Sequence, residues 1–76
     1  MNKQAAREVA KIEALPRDMN GHTTDAYRGM AARSLTALHR SAPSKKVQGE
    51  IEQVIDRLGL RSACRTENGA LVAIDL

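Results

Sequence analysis

The sequence predicts a mainly helical α+β fold, three amphipathic helices followed by a C-terminal β-hairpin. Three observations predict it. Apolar residues recur at three- and four-residue spacing along three separate stretches. Clusters of Pro, Gly, Asn and Ser divide those stretches. The pattern then shifts to two short runs around Asn68-Gly69, the strongest two-residue hairpin signal in the chain.

The first helix is expected over about 3–15. Ala5, Val9, Ile12 and Leu15 form its apolar side, and Lys3, Arg7, Glu8, Lys11 and Glu13 take the rest of the wheel. Pro16 stops it, because a residue before proline is pushed out of helical angles. Residues 16–22 read as a loop turning at Asn20-Gly21. Thr23 or Thr24 then caps a second helix over about 24–40, with Asp25 favourably placed against the helix dipole. At 100° per residue Tyr27, Met30, Ala31, Ser34, Leu35 and Leu38 cluster on one side, the expected core face. Arg33, Thr36 and Arg40 lie opposite, with Arg28, Ala32 and His39 on the flank. Ser41 or Ser44 caps a third helix over about 44–58, whose inner face is Val47, Ile51, Val54, Ile55 and Leu58. Gly59 supplies its left-handed stop, and Leu60 can fold back on the last turn.

The hairpin is expected over about 61–75, in one of two registers. A two-residue turn pairs Glu67 with Ala70 and Arg65 with Val72. A three-residue turn with a bulge pairs Thr66 with Ala70 and Cys64 with Val72. The second is preferred here, since it gathers Leu60, Cys64, Val72, Ile74 and Leu76 on one face. A lone hairpin needs a packed face, so it must lie on the helices or pair with its twin in a dimer.

Seventy-six residues make one domain, 1–76, with a thin core. The chain has no Trp, no Phe and one Tyr, so aliphatic side chains build the interior. Cys64 is the sole cysteine, which excludes an internal disulfide. With two histidines and one cysteine, no closed zinc set forms at recognisable spacing, and no metal or other cofactor is expected. Such limited stability favours a homodimer. No stretch reaches the roughly 18 apolar residues of a membrane span, and the first residues do not resemble a secretory signal. A free thiol with no such signal is expected in the cytoplasm. Arginine and alanine richness points to a GC-rich bacterial or phage genome.

Catalysis requires a nucleophile or acid–base pair with an oriented partner in a cleft. Cys64 falls in a strand with no neighbouring histidine, His22 in a loop before a helix cap, and His39 near a helix end, all better read as structural. The five glycines are scattered and form no phosphate-cradling loop. A non-enzymatic protein is therefore expected, one that docks on a macromolecular partner, a protein first of all, as inhibitors and regulators of phage or mobile elements do. Its contacts would come from Arg28, Arg33 and Arg40 on the second helix, or from the open strand edge at 71–74. The alternative is a DNA-binding regulator of winged-helix-like outline. There Lys45 and Lys46 begin the recognition helix and Arg61 and Arg65 lie on the wing. Glu50, Glu52 and Asp56 on that helix oppose the DNA reading, because they would face a polyanion.

Overall fold

The computed structural model describes residues 1–74. Helix α1 spans Lys3–Glu13, α2 Asp25–Ser41 and α3 Lys45–Arg57; a 3-10 turn at Arg61–Ala63 leads into β1, Cys64–Glu67, and β2, Ala70–Ala73. The three helices and the antiparallel hairpin are the elements the sequence predicts, in the predicted order. The expected hairpin end at Asp75 and the placement of Leu76 fall outside the described residues.

Local chemistry sets the boundaries. Asn2 Oδ1 accepts the Ala5 amide at 2.8 Å and starts α1. Ser44, one of the two candidate caps, starts α3 by accepting the Val47 amide at 3.3 Å. Thr24 occupies the cap position of α2 without a side-chain capping bond. At the end of α3 the Leu60 amide reaches Ile55 O at 2.9 Å and the Gly59 amide reaches Asp56 O at 3.1 Å. With Gly59 at φ +71°, this pair of bonds is a Schellman motif. It folds Leu60 into the core, where it is fully buried.

Helix α2 is central, touching α1, α3, the 3-10 turn and β2. Its buried face differs from the expected one. Ala31 and Leu35 are buried as predicted, but Ala32 and Thr36 are each 1% exposed, whereas Tyr27 is 38% and Met30 40% exposed. The reason is the hairpin, which packs on α2 as well as α3 does. Ala32 and Thr36 are small enough to admit a strand, and the Thr36 hydroxyl is satisfied by donating to Ala32 O at 2.8 Å.

The hairpin corrects a second expectation. Asn68 at φ +53° and Gly69 at φ +79° form a two-residue turn of type I′ handedness. The pairs are Glu67 with Ala70, Thr66 with Leu71, Arg65 with Val72 and Cys64 with Ala73, not the bulged alternative. Opposed residues share a face, so Cys64, Leu71 and Ala73 point one way and Arg65 and Val72 the other. Leu71 and Cys64 join the core, while Val72 and Ile74 are half-buried. The bulged register assumed that side-chain alternation continues unbroken from Leu60 to Cys64. The 3-10 turn breaks it and buries Ala63 as well.

The loop between α1 and α2 is bonded rather than loose. Arg17 and Thr23 form an isolated antiparallel bridge, the Thr24 amide donates to Pro16 O, and the Thr23 amide donates to Leu58 O at 3.0 Å. Among the described residues, no helix is long and apolar enough to cross a membrane.

Candidate functional site

The cationic residues that the sequence nominates divide into two groups. Arg28, Arg61 and Arg65 are engaged within the chain. Arg28 donates Nη1 to Gly59 O and Nη2 to Ser62 Oγ, each at 2.8 Å, and so fastens α2 to the corner between α3 and the hairpin. Arg61 holds Asp56 through Nε at 2.8 Å and Nη2 at 3.1 Å, and its Nη1 lies 3.6 Å from Glu52. The hydrogen bond with Asp56 raises the Arg61 pKa and lowers that of Asp56. Arg65 meets Glu67 at 2.9 Å. Arg33, Arg40, Lys45 and Lys46 form the other group, with no carboxylate within ion-pair distance among the described residues.

The arginines of α2 do not form one flank. Arg33 and Arg40 stand seven residues apart on the same side. Arg28 is on the opposite side, turned toward the chain's own backbone. Arg40 Nη1 also lies 3.5 Å from Leu71 O, on the outer edge of β2. That side chain therefore covers part of the edge that the sequence offers as a strand acceptor.

What the structure brings together is the outer face of α2. Ala26, Tyr27, Met30, Arg33, Ala37 and Arg40 are all exposed and follow one another around a single arc of the helix. Tyr27 and Met30 are two of the four large apolar side chains that stand exposed among the described residues; the others are Met1 and Met19. Sequence reasoning missed this face because Tyr27 and Met30 read as core. The available signal was the small pair Ala32 and Thr36, which marks a second buried side and turns Tyr27 outward.

The residues capable of chemistry lie apart from one another. The His22 ring packs on Gly59, His39 Nε2 lies 3.2 Å from Glu52 Oε2, and Cys64 is buried with its thiol pKa raised by desolvation. Among the described residues no group of three His, Cys, Asp or Glu side chains is placed to hold a metal. A recess of about 250 Å³ opens between the start of α1 and the turn joining α2 to α3, and Glu8 is the one titratable side chain in its lining. Small-molecule sites usually begin at about 300 Å³. Compared with known protein families, curated proteins and solved structures, the chain matches none.

Proposed function

We propose that this protein is a non-catalytic binding protein that inhibits or regulates a macromolecular partner, docking through the outer face of α2. The observation that carries the reading is the exposure of Tyr27 and Met30 on a helix whose other sides are filled. Exposed large apolar groups on one rigid face, rimmed by Arg33 and Arg40, have the composition of a protein contact: aromatic, Met and Arg residues are enriched there. A protein with an apolar patch beside carboxylates is the partner that suits them. The cytoplasm, with its reducing conditions, suits the lone thiol of Cys64.

Capture from a lysate of the encoding cell tests the reading. Tagged wild-type chain is expected to retain a stoichiometric protein that Tyr27→Ala and Met30→Asp each lose. Retention of the same protein by both variants would reject the α2 face. DNA binding is the competing outcome, and Lys45 and Lys46 at the start of α3 are what favour it. A gel shift that weakens steeply with salt and vanishes in a Lys45→Ala, Lys46→Ala variant would replace the protein partner with DNA. Arg61 and Arg65 already face Asp56, Glu52 and Glu67, which leaves the hairpin little charge to offer a phosphate backbone.

A further inference from the structure

We infer that the recess between α2 and the outer edge of β2 takes an extended acidic segment of a partner protein, added to the hairpin as a third strand. This deepens the docking reading of that side of α2, on which it rests, by naming the partner's chemistry.

The hairpin register fixes which backbone groups are open. The Ile74 amide donates to Ala63 O at 2.8 Å, so positions 63 and 74 lie at a hydrogen-bonding step of the ladder. Arg65 with Val72 and Glu67 with Ala70 are then hydrogen-bonded pairs too, because the two kinds of pair alternate. Leu71 and Ala73 fall in the intervening pairs, with their N–H and C=O groups directed away from β1. Among the described residues neither amide meets an acceptor. Leu71 O takes Arg40 Nη1 at 3.5 Å, longer than the usual range of about 2.7–3.2 Å. The amide of an incoming strand is a better donor there, and it frees Arg40.

Charge says which strand fits. Arg33, Thr36 and Arg40 line one wall of the recess, and Val72 and Ala73 the other. Both arginines are exposed, with no carboxylate within ion-pair distance among the described residues. They stand seven residues apart, about 10.5 Å along the helix axis. Side chains on one face of an extended chain recur about every 7 Å. Carboxylates two or four residues apart therefore come within reach of both flexible guanidiniums. On the other face of an added strand, an apolar side chain lies beside half-buried Val72. The segment thus alternates acidic residues toward α2 with apolar ones beside Val72. A second copy suits the edge poorly, since it brings the same cations to it.

Amide NMR and hydrogen exchange on the isotopically labelled chain test this, with a capped heptapeptide of alternating aspartate and valine titrated to about 1 mM. The peptide is expected to slow exchange of the Leu71 and Ala73 amides several-fold. Versions with asparagine for aspartate, or with every peptide nitrogen methylated, are each expected to lose the effect. Arg33→Glu and Arg40→Glu should each weaken binding several-fold, and Ala73→Pro should abolish it by removing an outward amide that makes no ladder bond. Circular dichroism verifies that each variant is folded, and the methylated peptide tests the strand on the unaltered chain. Equal binding of either control peptide overturns the added strand, as does binding that spares the Leu71 and Ala73 amides, or none at the highest concentration. Protection of the same two amides by self-association or by a DNA duplex, without the peptide, assigns the edge to those occupants instead. Failure of the peptide beside a lysate capture that depends on Tyr27 and Met30 sinks the strand and leaves the docking face intact.

Discussion

Gly59 shows how much a single residue decides in a chain this small. Its φ of +71° puts it in the left-handed region, and a Cβ there would overlap the His22 ring. The left-handed angle alone costs an L-residue about 1–2 kcal/mol. Gly59→Ala is therefore expected to destabilise the fold by at least about 2 kcal/mol once the overlap is added, read as a lower urea midpoint. Thr23 gives the opposite sign. It is 2% exposed, and its Oγ1 has no hydrogen-bond partner among the described residues. Thr23→Val keeps the shape and removes the buried hydroxyl, so a gain of about 1 kcal/mol is expected in the same titration. Asp18 supplies a pH effect. The backbone amide of His22 donates to its Oδ1 at 3.1 Å and lowers its pKa below the usual 3.8, helped by the amide of Asn20 at 2.8 Å. A carboxylate lowered in the folded state stabilises above its unfolded value, and that contribution is lost as pH falls through the folded value. Asp18→Asn should thus flatten the fall of the melting temperature as pH drops below the usual carboxylate value of 3.8, leaving the part due to Asp56, whose carboxyl is also lowered.

Among the elements, the hairpin yields the sharpest test, because its register decides which neighbouring side chain is core. Leu71 is 7% exposed and shares its face with Cys64 and Ala73, while Val72 shares its face with Arg65. Leu71→Ala is expected to cost about 2–4 kcal/mol and Val72→Ala about 1 kcal/mol or less, by chemical denaturation. The bulged register predicts the reverse order. The helices were readable in the sequence because each apolar residue of α1 and α3 repeats with the helical period toward one neighbour. Val47, Ile51, Val54, Ile55 and Leu58 are all buried as predicted. Helix α2 was only half readable. It is packed from two sides, and periodicity describes one stripe. Alanine and threonine at 32 and 36 look neutral until a strand is laid on them. The hairpin register was hidden by three residues of 3-10 turn, which carry no distinctive sequence and break the alternation.

For the molecule as a whole, thickness is the controlling dimension. The Cα atoms extend 32 × 28 × 16 Å, and the short axis is less than two helix-to-helix spacings of 8–10 Å. So thin a body cannot surround its central helix, and one side of α2 stays open. The functional groups were less legible than the fold for a related reason. Arg28 lies in the chain like any solvent-facing arginine, yet its partners are a carbonyl and a hydroxyl 31 and 34 residues away. No local pattern announces such a bond. Among the cations that the sequence nominates, Arg33, Arg40, Lys45 and Lys46 are the ones with no carboxylate within ion-pair distance among the described residues.

The connection between α1 and α2 has a bearing on how the polypeptide meets proteases. Its two ends are held, by Thr24 to Pro16 and by Thr23 to Leu58, while Met19 at its tip is fully exposed. Scission beside Met19 would leave both fragments clasped by the same bonds and by the aliphatic contacts beneath them. The nicked material should migrate intact in a native gel and part into two bands only in detergent.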